Sequence, residues 1–86
     1  MSNILLVEDS PTQALQMKLL LESAGHHVVC SDDGTSAIEQ LATGTSEIVV
    51  TDLELPVMNG LDLIKRMRAD FPQIPAVLVT GQGSER

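Results

Sequence analysis

The sequence is poor in cysteine, aromatic side chains and positive charge. Cys30 is the only cysteine and Phe71 the only aromatic residue. A single cysteine excludes an intrachain disulfide and fits a reducing compartment such as the cytoplasm. Five Lys and Arg against twelve Asp and Glu leave a formal net charge of −7. This charge argues against nonspecific nucleic-acid binding, because contacts to phosphate need basic side chains.

Long apolar runs are also missing. No stretch approaches the roughly 20 apolar residues of a membrane-spanning helix, and the N-terminus lacks the basic and apolar pattern of a secretion signal. The chain has 86 residues, of which 43% are hydrophobic and 20% are charged. This composition indicates a globular chain of one domain, residues 1–86.

Short apolar runs alternate with stretches of helical periodicity. We predict strands at residues 4–7, 27–30, 48–50 and 76–79, a turn at 31–34, and helices at 12–24, 35–41 and 61–71. The apolar stripe of the first helix is predicted to comprise Ala14, Met17, Leu21 and Ala24, widened by Leu15 and Leu20; that of the third comprises Leu61, Ile64, Met67 and Phe71. Strict alternation of strand and helix predicts a parallel sheet with right-handed crossovers. The expected fold is a three-layer α/β sandwich with strands one and three adjacent at its centre.

The stretch from residue 48 to 61, IVVTDLELPVMNGL, combines a buried strand with a polar end. Asp52 follows the β-branched run, Pro56 interrupts the next segment, and Gly60 supplies backbone freedom before a helical pattern. Ligands of open α/β sheets bind beyond the carboxyl ends of the strands. Asp52 is therefore a candidate for chemistry, although an aspartate at a strand end alone is equally often a turn or capping residue.

Three of the four predicted strands end in oxygen-bearing side chains. Glu8 and Asp9 follow the first strand, Asp52 the third and Thr80 the fourth. A parallel sheet brings these ends to one edge, where three carboxylates repel each other unless a cation intervenes. Hard oxygen ligands favour Mg²⁺, or Mn²⁺, over zinc. A carboxylate beside such a cation can act as a nucleophile toward phosphorus and form an aspartyl phosphate.

Three segments together resemble the receiver domain of two-component response regulators: ILLVEDS, VVTDLELPVMNGLDLI and PAVLVTGQG. The resemblance implies a flavodoxin-like fold with strand order 2-1-3-4 over this chain. It implies that Asp52 accepts a phosphoryl group from the phosphohistidine of a histidine kinase. Asp9, Asp52 and the backbone carbonyl of Glu54 would bind Mg²⁺, and Glu8 would act through a metal-bound water. The hydroxyl of Thr80 would move toward the phosphoryl group on activation.

The resemblance also sets expectations for the domain's extent and partners. In the family a fourth helix, a fifth strand ending in a lysine, and a fifth helix follow, whereas this sequence stops at Arg86. We therefore expect an incomplete receiver domain that dimerises or exchanges elements through strand 76–79, unless further residues are present. Lys18 and Lys65 lie mid-helix and cannot be assigned the lysine's role from spacing. The implied partners are a histidine kinase or phosphotransfer protein and an effector domain or downstream protein.

Two other functions would use the same fold with different chemistry from a receiver domain. Receiver domains catalyse their own phosphorylation and dephosphorylation without being stand-alone enzymes. A metal-dependent phosphohydrolase with an aspartyl nucleophile usually carries a second Asp two positions after the first, where this chain has Glu54. An interaction module could keep the fold without phosphorylation. Incubation with acetyl phosphate and Mg²⁺ separates these alternatives.

Overall fold

The structure, a computed structural model, describes residues 1–79. Four strands and three helices alternate along these residues: β1 Asn3–Val7, α1 Pro11–Ser23, β2 His27–Ser31, α2 Gly34–Ala42, β3 Ile48–Asp52, α3 Gly60–Asp70 and β4 Ala76–Val79. The predicted site residue Thr80 lies outside the described residues. The longest of these helices, α1, has 13 residues, and none of the three combines the length and apolar content that crossing a membrane requires.

The four strands form one parallel sheet in the order β2-β1-β3-β4. β1 and β3 pair at its centre, with Leu6 opposite Val50 and Val7 opposite Thr51. This arrangement confirms the predicted fold class and the central position of the first and third strands. Each predicted strand is present, and the structure extends the third by two residues to Asp52.

The two faces of the sheet are covered unequally. On one face α2 and α3 enclose the larger core, whose fully buried members are Leu5, Val7, Ala37, Leu41, Val49, Leu63 and Met67. On the other face α1 packs Met17 and Leu21 against a smaller cluster of Ile4, Leu6 and Val28. The direction of the connections explains this distribution. The chain first moves from β1 to β2 at one edge of the sheet, and then moves back across to β3 and on to β4 at the other edge. Right-handed crossovers that run in opposite directions place their helices on opposite faces.

Two apolar stripes were predicted correctly only in part: Met17, Leu21 and Met67 pack against the sheet as predicted, but other members do not. Leu15 and Leu20, placed on the buried side of α1, are 56% and 66% exposed. Leu61, placed in the stripe of α3, is 51% exposed, whereas Leu63 is fully buried. α3 begins at Gly60, and its buried side follows the i, i+4 pair Leu63 and Met67.

Side-chain caps set where the helices begin. The side chains of Ser10, Asp33 and Asn59 accept hydrogen bonds from backbone N–H groups three residues on. Asp33 was predicted only as a turn residue, but its carboxylate accepts from the Ser36 N–H at 2.7 Å and caps α2. At the other end of α1, Gly25 has φ +95°, and this confirms the predicted left-handed cap.

Candidate functional site

Three carboxylates meet at the carboxyl edge of the sheet. Glu8, Asp9 and Asp52 each place a carboxylate oxygen within 4.8 Å of the other two. Glu8 and Asp9 directly follow β1, and Asp52 is the last residue of β3. The central pairing of β1 with β3 is what brings these segments together. The predicted convergence of the three acidic residues is therefore observed.

The Glu8 carboxylate is held in place by the start of α1. Its Oε2 accepts a hydrogen bond from the Ser10 N–H at 3.0 Å, and its backbone N–H donates to the Ser31 carbonyl at 3.0 Å. Partial burial raises the pKa of Glu8 above its ordinary value. The Ser10 hydrogen bond lowers this pKa, and the charges of Asp52 and Asp9 raise it further. Burial is thus the main cause of the raised pKa of Glu8, and the neighbouring carboxylates add to it.

Glu54 lies beside the three carboxylates. A depression of about 380 Å³ is lined by the loop after β1, the first turn of α1, the end of β3 and the loop that follows it: Glu8, Asp9, Ser10, Gln13, Asp52, Glu54, Leu55 and Pro56. Its acidic donors are all oxygen groups, with no cysteine or histidine among the lining residues. This donor set suits a hard divalent cation such as Mg²⁺ or Mn²⁺. Neither Lys18 nor Lys65 lines the depression.

The loop after Asp52 is tied to the neighbouring strand β4 and closed by a hydrogen bond from the start of α3. The Leu53 N–H donates to the Val79 carbonyl at 3.1 Å, and the Gly60 N–H donates to the Leu53 carbonyl at 2.7 Å. A Cβ on Gly60 would collide with the Asp52 carbonyl oxygen. The prediction that Gly60 supplies backbone freedom is therefore wrong, because its φ is not positive and close approach is what requires glycine.

The same loop contains a strained turn that the sequence analysis missed. Val57 has φ +69°, and the Met58 N–H donates to the Pro56 carbonyl at 2.6 Å. Together these features define a γ-turn with positive central φ, a rare and strained conformation for a β-branched residue. The turn leaves Val57 91% exposed while Met58 packs against the core. No local sequence signal marks it, since Val is among the residues least suited to positive φ.

Comparison with known proteins identifies the family. A profile described as "Response regulator receiver domain" matches residues 4–86. The chemotaxis protein CheY1 of Helicobacter pylori is 37% identical over 86 residues, which cover 95% of this chain and 69% of CheY1. The probable transcriptional regulatory protein TcrX of Mycobacterium tuberculosis is 33% identical over 79 residues, covering 92% of this chain but only 34% of TcrX.

Solved structures agree with this relationship. The response regulator TrrA of Thermotoga maritima, in complex with Mg²⁺ and BeF, superposes with a TM-score of 0.91 at 26% identity, covering all of this chain and 75% of TrrA. TrrA in complex with the histidine kinase ThkA gives a TM-score of 0.87 at 26% identity, over 93% of this chain and 69% of the matched chain.

The chain belongs to the response regulator receiver domain family. Its fold is the flavodoxin-like fold of that family, and its role is that of a phosphoacceptor domain in two-component signalling. Receiver domains of this family generally use Mg²⁺. That residues 1–86 form an incomplete receiver domain stays a prediction, as do the roles of the individual site residues.

Proposed function

We propose that Asp52 is the phosphoacceptor of this receiver domain. The observation that carries the proposal is the position of Asp52 at the end of central strand β3, with carboxylate oxygens of Glu8 and Asp9 within 4.8 Å. Asp52 is half-buried, so its carboxylate is open to a donor from the carboxyl edge of the sheet. The hydrogen bonds of Leu53 and Gly60 restrain the backbone on its C-terminal side.

The transfer needs only displacement at phosphorus. An Asp52 carboxylate oxygen forms the new O–P bond as the P–N bond of a phosphohistidine breaks, and the imidazole nitrogen keeps the bonding pair. With acetyl phosphate the bond that breaks is P–O, and acetate leaves. Thr80, at the end of the fourth predicted strand, is proposed to donate its hydroxyl to a phosphoryl oxygen.

Asp9, Asp52 and the backbone carbonyl of Glu54 are proposed to hold Mg²⁺, or Mn²⁺, directly, with Glu8 acting through a water. The residues fit such a cation because all their donors are oxygen atoms. The pKa of Glu8 is raised mainly by burial, and the negative charges of Asp52 and Asp9 add to the shift. When bound, the cation neutralises the carboxylates and the charge of the incoming phosphoryl group. Glu8, anchored by the Ser10 N–H, would orient the water between itself and the cation.

The proposed donor is a histidine kinase or phosphotransfer protein in the cytoplasm, and the proposed recipient of the signal is an effector domain or downstream protein. A histidine kinase complex of the neighbour TrrA supports the first assignment. The depression beside Asp52 is lined both by the start of α1, including Gln13, and by the β3–α3 loop, including Pro56. A phosphohistidine approaching Asp52 from the edge of the sheet would pass between these two elements.

Acetyl phosphate with Mg²⁺ tests the assignment directly. Intact-mass measurement should show one added phosphoryl group that is stable in acid and lost in base. Asp52→Asn, which keeps the shape but removes the nucleophile, should abolish the label. Asp70→Asn is the matched control, because Asp70 pairs with Arg66 on the solvent side of α3. A label retained in Asp52→Asn moves the acceptor elsewhere, and an unlabelled wild type favours a nonphosphorylated interaction module.

A further inference from the structure

The first residue of helix α2 lies against the loop that follows Asp52. Gly34 is buried at the start of this helix, and a Cβ there would lie 2.8 Å from Met58 Sδ and 3.1 Å from Met58 Cβ. Among the glycines of residues 1–79, positive φ occurs at Gly25 and Gly44 only, so the backbone conformation of Gly34 does not itself require glycine. The side chain of Met58 is what requires glycine at this position.

Met58 holds a largely exposed loop onto the core. Its side chain and that of Leu55 pack against the core, whereas Pro56 and Val57 between them are exposed. The turn at Val57, with φ +69°, directs Met58 inward. Strained conformations of this kind persist only where the surrounding structure enforces them. The contact of Met58 with Gly34 is part of that surrounding structure.

The backbone that carries Glu54 lies between two hydrogen-bonded points. On its N-terminal side the Leu53 N–H donates to the Val79 carbonyl at 3.1 Å. On its C-terminal side the Pro56 carbonyl accepts from the Met58 N–H at 2.6 Å. Glu54 and Pro56 both line the depression of the candidate site. Because a backbone carbonyl can be reoriented only by moving the chain, the position of the Glu54 carbonyl depends on where Met58 is held.

The turn before α2 also contacts the other side of the site. The buried Ser31 accepts a hydrogen bond on its carbonyl from the Glu8 N–H at 3.0 Å. Asp33 caps α2 and thereby fixes where this helix, with Gly34 as its first residue, begins. None of residues 31–34 lines the depression itself. The turn therefore supports both acidic loops from outside the depression.

We propose that Met58 and Gly34 are positioning residues of the metal site. The Met58 side chain, packed directly on Gly34, holds the β3–α3 loop in the course that fixes the Glu54 carbonyl at the depression. Neither residue is itself a ligand. Both roles rest on the proposed function, in which that carbonyl is one of the direct Mg²⁺ ligands. Residues that support metal ligands typically change metal affinity by about 10- to 100-fold when they are mutated.

Two substitutions disturb this contact from opposite sides. Met58→Ala removes the side chain that holds the loop and leaves the turn at Val57 without its anchor. Gly34→Ala adds a methyl group under that side chain. The thioether can rotate away from the methyl group, but the Met58 Cβ, 3.1 Å from it, moves only with the backbone. Gly34→Ala is therefore expected to displace the loop by a few tenths of an ångström.

Mg²⁺ titration of the 86-residue chain, followed by NMR chemical shifts, tests the proposal. Met58→Ala should weaken binding about tenfold, and Gly34→Ala should weaken it severalfold. Because both act through one contact, Gly34→Ala should cause no further loss in the Met58→Ala background. Gly44→Ala, just beyond the other end of α2, is the matched control. Its φ of +85° strains an alanine, but open space surrounds it, so Mg²⁺ affinity should remain that of wild type.

Urea denaturation separates positioning from simple packing. A residue that only stabilises the core changes the fraction of folded chain but leaves the Mg²⁺ affinity of the folded molecules unchanged. Unchanged affinity in Met58→Ala overturns the proposal, and so does an additive loss in the double variant. The proposed function survives that failure if wild type binds Mg²⁺ and Asp9→Ala does not. A wild type that binds no Mg²⁺ overturns the metal site and the two positioning roles together.

A second measurement decides the matter without a bound cation and even if Met58→Ala fails to fold. Alanine is a better helix former than glycine, so Gly34→Ala should retain the fold. In the metal-free protein, Gly34→Ala should shift the backbone amide resonances of Glu54 and Leu55, whereas Gly44→Ala should leave them at their wild-type positions. Unshifted resonances in Gly34→Ala would show that the loop does not depend on this contact and would overturn the proposal.

Discussion

Gly60 lies directly against the backbone carbonyl of Asp52. A Cβ at residue 60 would collide with that oxygen and would also lie 2.9 Å from Leu78 Cδ1 and 3.0 Å from Leu53 Cα. The first residue of α3 is thereby seated on the end of β3. The same contact therefore fixes both how α3 packs and where the proposed phosphoacceptor Asp52 lies.

Gly60→Ala should therefore affect stability and the site together. We expect the free energy of unfolding to fall by about 1–3 kcal/mol, the usual cost of overpacking, and Mg²⁺ affinity to fall because Asp52 is displaced. Urea denaturation and a Mg²⁺ titration measure the two effects. Gly25→Ala is the control: it has open space around it but φ +95°, so it should lose stability without losing Mg²⁺ affinity. An unaffected titration in Gly60→Ala would contradict the coupling.

Val57→Gly should stabilise the protein. Glycine adopts positive φ without steric cost, and the 91% exposed valine side chain contributes almost no burial. Relief of a strain of roughly 1–3 kcal/mol, less the extra entropy of glycine in the unfolded chain, should raise the free energy of unfolding by about 1 kcal/mol. Val57→Thr keeps the branched Cβ and should leave stability unchanged. Loss of stability in Val57→Gly, measured by urea denaturation, would show that the turn is not strained.

Glu8→Gln should stabilise the metal-free protein at neutral pH. The folded-state pKa of Glu8 is raised, mainly by burial, so the contribution of this group to stability is fully present below its unfolded pKa and is lost as pH rises through the folded pKa. Glutamine removes that loss while its carbonyl oxygen can still accept from the Ser10 N–H. Because the site is partly open to water, the gain should be below about 1 kcal/mol.

The pH dependence is the check on this assignment. The stability difference between Glu8→Gln and wild type should appear as pH rises above about 4.5 and vanish in more acidic solution. Saturating Mg²⁺ should shrink it at neutral pH, since the cation offsets the repulsion. A difference that is constant with pH would assign the effect to packing instead of charge.

Asp9→Ala should abolish Mg²⁺ binding. It removes one of the two carboxylates proposed as direct ligands, and the remaining oxygen groups supply too little charge to displace water from a strongly hydrated cation. A Mg²⁺ titration followed by NMR chemical shifts, with Asp70→Asn as the control, provides the measurement. Unchanged binding in Asp9→Ala would remove this residue from the ligand set.

The order of elements and the main acidic site could be predicted from the sequence because both depend on local patterns. Runs such as 48–50 have no polar residue and suit a strand covered on both faces. Parallel strands place their carboxyl ends at one edge, so the positions of Glu8, Asp9 and Asp52 after their strands predict the cluster that the structure contains. Thr80 lies outside the described residues, and its role stays a prediction.

Other features were decided only by tertiary structure. Leu61 and Leu63 are equally apolar, and which of them is buried depends on how α3 rotates against the sheet. Leu15 and Leu20 looked like core residues because periodicity counts apolar positions without knowing how many sides of a helix are covered. Gly60 matters because it lies against the carbonyl of Asp52, and Val57 matters because its turn packs Met58 against the core. Periodicity and strand-end chemistry are visible in the sequence, whereas the close approach of Gly60 to Asp52 and the strained turn at Val57 are set by how α3 and its preceding loop pack on the sheet.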